Sequence, residues 1–107
     1  LDARSEMISI ANHTSQPFDA LVMPTLPIIP VPVAPLEADG ELWLSTNLKM
    51  IRNNGLANFF DRCALTIPCH MPGEAPVGLM LFGETMADRR LLSIGKAVEA
   101  ALKFARI

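Results

Sequence analysis

Cys69 and His70 are neighbours in this 107-residue chain, and their residue types could do covalent chemistry together. A thiolate activated by an imidazole is a nucleophile for acyl transfer. On an extended strand, however, adjacent side chains point to opposite faces, so these two groups would not meet. We therefore expect Cys63 and Cys69 to be buried structural cysteines, and His70 to lie in a turn or at the surface.

The sequence contains no other recognisable catalytic or metal-binding motif. It has no glycine-rich phosphate loop, no G-x-S-x-G elbow, no H-E-x-x-H helix and no paired metal ligands. Glu84 and Asp88 are four residues apart at the start of a predicted helix, where interaction with the helix dipole accounts for both carboxylates. The two cysteines fit neither a zinc pattern nor a disulfide framework, which favours a reducing cytoplasm. We expect no metal and no cofactor.

The composition indicates a chain that is short of charge for its size. Half of the residues are apolar, 19% are charged, and the formal net charge is −2, whereas globular domains are about 25% charged. A small chain has much surface, so the apolar excess predicts that part of it is covered by other protein, in a larger domain or an oligomer. The absence of a basic cluster argues against direct nucleic-acid binding. No apolar run reaches the ~18–20 residues that span a bilayer.

Hydrophobic periodicity and the positions of Pro and Gly predict the elements that would hold these residues. In order, they are a helix over 1–16, a strand over about 19–24, an extended proline-rich loop over 24–36, a bent helical segment over 46–61, strands over about 64–68 and 77–83, and a helix over 86–105. The acidic patch at 37–41 is predicted to be a solvated turn, residues 53–55 (Asn-Asn-Gly) to be the bend, and residues 85–88 to form a capping box. The proline-rich loop is either a plain connector or the wall of a pocket or docking surface.

Three stretches, in this order along the chain, resemble the C-terminal region of amidase signature family enzymes. They are residues 19–25 (DALVMPT), 52–69 (RNNGLANFFDRCALTIPC) and 76–92 (PVGLMLFGETMADRRLL). The family shares an apolar strand ending in Pro-Thr, an asparagine-bearing segment before a strand ending in Pro, and Pro-Val-Gly-Leu leading into a strand and an Asp-Leu-Leu helix. The resemblance covers essentially the whole chain. Residues 74–76 (Glu-Ala-Pro) depart from the family's common Gly-Leu-Pro, which leaves the branch and the substrate open.

The resemblance implies an α/β class, with an α/β/α fold around a central mixed sheet that is incomplete in this chain. Family members hydrolyse or transfer amides with a serine nucleophile, a second serine in a cis peptide and a lysine, without metal or organic cofactor. Their Gly/Ser-rich signature lies upstream of the matched region. This chain has no Ser-Ser pair, and none of its lysines, Lys49, Lys96 and Lys103, matches the family's lysine motif. We predict that it holds no catalytic residue and that, alone, it is inactive.

Five residues are candidates for the wall of a substrate pocket: Arg4, Thr25, Arg52, Asn53 and Asn54. Arg4 lies fifteen residues before Asp19, a spacing at which the A-type amidotransferase subunits resembled here place an arginine near the amino-acid substrate. The alternative is a solvent-facing helix arginine. The polar residues 52–54 either face a ligand or form a surface turn, and Thr25 closes the first strand.

The leading hypothesis is that this chain is the C-terminal portion of an amidase signature hydrolase that acts on a small amide. It has no direct nucleic-acid or membrane partner in this interpretation, and it self-associates through exposed apolar surface. One alternative is a non-catalytic binding or oligomerisation module of amidase descent. Another is an aminoacyl-tRNA amidotransferase A-type subunit or an allophanate hydrolase.

Overall fold

A computed structural model describes residues 2–105, and within them it contains four helices and three strands. In chain order these are α1 (Asp2–Ser15), β1 (Leu21–Pro24), α2 (Val33–Ala38), α3 (Gly40–Phe59), β2 (Ala64–Pro68), β3 (Gly78–Phe82) and α4 (Asp88–Ala105). The molecule is of the α/β class, as the sequence predicts.

The described strands form one sheet in the order β1-β3-β2, and both pairs are antiparallel. Leu21 lies opposite Phe82, and Ile67 lies opposite Leu79. β3 is the central strand, and its Leu81 is only 1% exposed. An uncharged strand of this kind is typical of positions that are covered on both faces. The described sheet is wholly antiparallel and so differs from the mixed sheet that the resemblance implies.

Two helices cover opposite faces of the sheet. On one face, Ala57 of α3 packs with Met80 and Phe82 of β3. On the other face, Leu91 of α4 packs with Leu81 and Ile67. Burying an aliphatic or aromatic side chain of this size stabilises a fold by about 1.5–3 kcal/mol. The result is a three-layer α/β/α arrangement with a small core on each side.

The chain is flat, and much apolar surface is left uncovered. Its Cα radius of gyration is 16.3 Å and its extents are 45 × 44 × 18 Å, whereas a domain of this length has a radius of about 13 Å. The accessible surface of 7745 Å² exceeds the roughly 5,800 Å² typical of a globular protein of this mass. Large apolar side chains that are more than half exposed include Ile10, Trp43, Leu44, Leu48, Ile51 and Leu92.

The prediction of a bend at residues 53–55 is wrong, because α3 continues through them to Phe59. The Asn53 side chain is 8% exposed, and its Nδ2 donates to the Pro24 carbonyl oxygen over 2.8 Å. Together with the packing of Ala57 on the sheet, this tertiary bond holds the segment helical. It outweighs the cost of about 1 kcal/mol for a glycine inside a helix.

The interpretation of 24–36 as extended throughout, and of 37–41 as a turn, is also wrong. Helix α2 begins at Val33 directly after Pro32, so Pro35 falls in the first turn, where its missing N–H would have no partner in any case. The acidic patch spans the junction of α2 and α3. Asp39 caps α3, since its Oδ1 accepts from the N–H groups of Glu41 and Leu42 at 3.0 and 3.2 Å.

Helix α4 begins at Asp88 rather than at residue 86, and residues 85–88 do not form a capping box. Met86 has a φ of 62°, which is incompatible with the right-handed helix. Thr85 instead donates its hydroxyl to the Asp61 carbonyl oxygen at 2.5 Å. The threonine therefore ties the start of α4 to the end of α3.

Helix α3 ends in a Schellman motif. The N–H of Arg62 donates to the Ala57 carbonyl at 3.0 Å, and the N–H of Asp61 donates to the Asn58 carbonyl at 3.3 Å. Asp61 occupies the left-handed position of the motif, with a φ of 54°. Glycine is the usual residue at this position because it has no Cβ to clash.

Candidate functional site

A pocket lies where the C-terminal ends of β1 and β2 meet the start of β3. Its volume is about 260 Å³, and we call it the strand-end pocket. It is lined by Thr25, Leu26, Pro30, Thr66, Pro68, His70, Pro76, Val77 and Gly78. The proline-rich loop after β1 supplies one wall, and the connection between β2 and β3 supplies another. Among the candidates from sequence, Thr25 lies in this pocket.

A pair of threonine hydroxyls forms the polar part of the pocket. Thr25 Oγ1 and Thr66 Oγ1 are 2.6 Å apart, and the Thr25 N–H donates to the Gly78 carbonyl at 2.9 Å. A Cβ on Gly78 would come within 2.7 Å of Thr25 Oγ1 and 2.8 Å of Thr66 Cγ2. Glycine is therefore required beside the pair, because any side chain would push the two threonines aside.

His70 is the titratable side chain of the pocket lining. It is half-buried and follows β2, as the expectation of a turn histidine suggests. The Val77 N–H donates to its Nδ1 over 3.2 Å. The ring therefore closes the loop between β2 and β3.

The expectation of buried cysteines is met only in part, since both are half-buried. Cys63 Sγ donates to the Glu84 carbonyl over 3.1 Å, and the backbone N–H of Cys69 donates to Val77 across the β2–β3 hairpin. Both cysteines are free and half-buried. The described residues contain no group of three or more His, Cys, Asp or Glu side chains that could hold a metal ion.

The polar triplet 52–54 does not act as one unit. Asn53 points inward and is bound to Pro24 next to the pocket residue Thr25. Its Oδ1 accepts from Arg52 Nε over 3.4 Å, and the rest of the arginine is exposed on α3. Asn54 is exposed on the same helix. Asn53 therefore positions the end of β1 and does not line the pocket itself.

Arg4 lies away from the strand-end pocket, at the C-terminus of α3. Its Nε and Nη2 donate to the carbonyls of Phe59 and Asn58 at 3.0 and 3.2 Å. Its guanidinium carbon is 5.8 Å from the centre of the Phe59 ring. A cation at this end of a helix also interacts favourably with the helix dipole. In this chain Arg4 fastens α1 to α3.

Arg62, which sequence reasoning did not single out, connects more elements than any candidate does. Its guanidinium donates to Ala11 O, Asn12 Oδ1 and Ser15 Oγ of α1 and to the Gly83 carbonyl after β3, at 2.5–3.4 Å. Its Nε is buried without a hydrogen-bond partner among the described residues. The signal in the sequence that could have identified it is a single arginine just before an apolar strand.

Comparisons with known proteins give relatives of much greater length. No protein-family model matches the chain. The 2-amino-5-chloromuconic acid deaminase of Comamonas testosteroni is 36% identical over 85 residues, which cover 78% of this chain and 18% of that protein. The A-type subunit of the glutamyl-tRNA(Gln) amidotransferase of Salinispora arenicola is 33% identical (78% and 16%), and the indoleacetamide hydrolase of Rhizobium radiobacter is 33% identical (80% and 19%). The chain thus spans less than a fifth of each.

The solved structures include one with the same fold. The crystal structure of the A-type subunit of glutamyl-tRNA(Gln) amidotransferase from Thermotoga maritima matches with a TM-score of 0.63 and 24% sequence identity. The match covers 83% of this chain and 19% of that chain. Among the described residues, no helix is long and apolar enough to cross a membrane.

Proposed function

Since this chain is homologous over about 78% of its length to members of the amidase signature family, we propose that it forms the C-terminal portion of an enzyme that hydrolyses a small amide. The observation that carries the proposal is its 33–36% identity to three enzymes whose named activities all make or break a carbon–nitrogen bond. The shared fold supports the same assignment.

The catalytic groups belong to sequence outside this chain. A lysine that acts as a base needs a desolvated setting that lowers its pKa, and all three lysines here are exposed. Lys103 is also within 3.8 Å of the Glu99 carboxylate, on the outer side of α4. The role of this chain is to complete the sheet and to contribute the strand-end pocket to a substrate site.

An A-type subunit of a tRNA amidotransferase is the second candidate. It is favoured by the Salinispora relative and by the fold of the Thermotoga protein. An assay of the full enzyme that contains this chain separates the two functions. It compares the transfer of ammonia to glutamate esterified on tRNA with the hydrolysis of free amides, and we expect hydrolysis of free amides without transfer.

The uncovered apolar surface fits a chain that associates with other protein. Leu44, Leu48 and Ile51 lie on one side of α3, and each is 51–55% exposed. We expect the isolated chain to associate in a concentration-dependent way in analytical ultracentrifugation, and a monomer at all concentrations would contradict this. The free thiols Cys63 and Cys69 support a cytoplasmic location, which cell fractionation tests.

A graft tests the main proposal. The segment of the Rhizobium indoleacetamide hydrolase that matches this chain is replaced by the residues of this chain, and hydrolysis of neutral amides is measured. We expect the graft to retain turnover that serine reagents block, whereas the isolated chain has none. A graft that melts cooperatively like its parent but has lost all amide hydrolysis would sink the proposal, as would serine-dependent turnover by the chain alone.

A further inference from the structure

We infer that the strand-end pocket binds the compact apolar group of an uncharged carboxamide, with the Thr25–Thr66 pair donating a hydrogen bond to it. The inference deepens the proposed function and rests on it for the amide. It goes beyond it in naming the class of substrate and the residues that select it. Four properties of the pocket carry it: size, hydrogen-bonding capacity, lack of charge and rigidity.

The volume fits one chemical group and excludes a whole large ligand. Sites for drug-sized molecules enclose about 300–1,000 Å³, whereas a cavity of about 150 Å³ is sufficient for benzene. The strand-end pocket, at about 260 Å³, therefore accommodates a single aromatic ring or a branched aliphatic group with an attached carbonyl. The remainder of a larger substrate would lie outside it.

The hydroxyl pair leaves one proton to donate. Thr25 Oγ1 and Thr66 Oγ1 share one hydrogen bond across 2.6 Å, and each hydroxyl carries a single proton. Whichever threonine accepts within the pair keeps its own O–H for a further partner. The pocket thus matches an acceptor such as an amide carbonyl.

The lining excludes charged ligands. Apart from His70, none of its side chains has an ionisable group. A neighbouring groove between β2 and α4 is instead lined by both Lys96 and Glu99. Moving a carboxylate or an ammonium group into an apolar site without a counter-ion costs far more than moving a neutral amide. The strand-end pocket therefore favours an uncharged amide over a charged analogue of the same shape.

The walls are held in place before a ligand arrives. Pro30, Pro68 and Pro76 have fixed φ angles, and the backbone of Thr25 is tied to Gly78. A pre-formed wall loses little conformational entropy on binding. This rigidity makes selection by shape effective. Leu26 lines both this pocket and a neighbouring one of about 140 Å³, so a smaller residue there should let a longer group extend from one into the other.

The test compares benzamide with benzoate, which have nearly the same shape but differ in charge at neutral pH. Binding of each to the chain is followed by NMR shifts of the amide groups of Thr25, Thr66 and Gly78. We expect benzamide to bind at least tenfold more tightly than benzoate and to shift these three signals. Equal or tighter binding of benzoate, or shifts confined to other residues, would overturn the inference.

Variants separate the hydroxyl pair from mere packing. The double replacement of Thr25→Val and Thr66→Val removes both partners of a hydrogen bond while keeping their shape, which is nearly neutral for stability. It should weaken benzamide binding roughly three- to tenfold, while the control Thr14→Val, on exposed helix α1, should not change it. Leu26→Ala should raise the preference for 2-naphthamide over benzamide. An unchanged affinity in the double variant, or an unchanged preference in Leu26→Ala, refutes the assignment.

The same variants in the grafted hydrolase give a second readout. The double valine variant should raise KM for benzamide by the same factor with kcat little changed, and an unchanged KM counts against the pocket. If the unmodified graft hydrolyses amides but does not prefer benzamide over charged amides, this inference is overturned and the proposed function stands. If the chain binds benzamide more tightly than benzoate but a well-folded graft is inactive, the proposed function is overturned and the pocket assignment stands.

Discussion

Replacing Asp61 by glycine should stabilise the protein, because Asp61 has a left-handed backbone conformation at the end of α3. Its φ is 54°, and a side chain in that region costs about 1 kcal/mol or more relative to glycine. An acidic residue at the C-terminal end of a helix also interacts unfavourably with the helix dipole, by about 0.3–1 kcal/mol. The hydrogen bonds of this residue involve its main chain, which donates to Asn58 and accepts from Thr85, so both survive the substitution.

The gain is reduced by the greater freedom of glycine in the unfolded chain. That term offsets roughly 0.5–1 kcal/mol, so Asp61→Gly should raise the free energy of unfolding by about 0.5–1 kcal/mol. For a domain of this size, the melting temperature should rise by about 2–8 °C. Thermal and urea unfolding followed by circular dichroism measure both quantities.

Three comparison variants identify the cause of the effect. Asp61→Asn removes the charge but keeps a residue that tolerates the left-handed region, so it should lie between the natural chain and Asp61→Gly. Asp61→Ala should be less stable than Asp61→Gly by about 0.5 kcal/mol or more, because the same glycine entropy offsets part of the left-handed strain. Lys49→Gly, at an exposed position within α3, should destabilise by about 0.5–1 kcal/mol. If Asp61→Ala proved as stable as Asp61→Gly, the conformational argument would be refuted.

Three further perturbations follow from contacts elsewhere in the fold. Asn53→Ala removes the hydrogen bond from a buried side chain to the Pro24 carbonyl and should cost about 0.5–1.5 kcal/mol in urea unfolding. Asn54→Ala, on the exposed face, should change stability by less than about 0.5 kcal/mol, and similar effects of the two would contradict the inward placement of Asn53. Gly78→Ala should lower the free energy of urea unfolding by about 1–3 kcal/mol through overpacking. Adding Thr25→Ala should recover part of that loss, and no recovery would show that Thr25 is not the group that clashes. Arg62→Lys, with fewer donors, should speed amide hydrogen exchange in α1 more than in α4, and uniform exchange would show that Arg62 does not hold α1.

The sequence was sufficient for the strands because their signals are local. The uncharged segments that become β2 and β3 are bounded by Pro68 and by Gly78 and Gly83, so their type and limits are evident without tertiary information. The amphipathic pattern of α4 is equally clear over its last four turns. Its true start depended on the conformation of Met86, which nothing in the residue type requires.

The parts that sequence reasoning missed depend on contacts across long separations. Residues 53–55 favour a turn locally, and the deciding bond from Asn53 reaches Pro24, 29 residues away. The strand-end pocket joins Thr25 to Thr66, which are 41 residues apart. Local propensity is a weak prior when a tertiary bond of this kind is made. Only Asp39, directly before Gly40, offered a capping signal that could have placed the start of α3.

The strand order β1-β3-β2 also sets an order of assembly. β2 and β3 are connected by residues 69–77, whereas β1 reaches β3 only when residues 25–77 are closed into a loop. Closing a loop about six times longer costs about 1.6 kcal/mol more in chain entropy. The β2–β3 hairpin with α4 is therefore the early-folding unit, and β1 is the last strand to join and the first to leave. Because Thr25 follows β1, the strand-end pocket exists only in the fully folded chain, and its occupant holds that last strand in place.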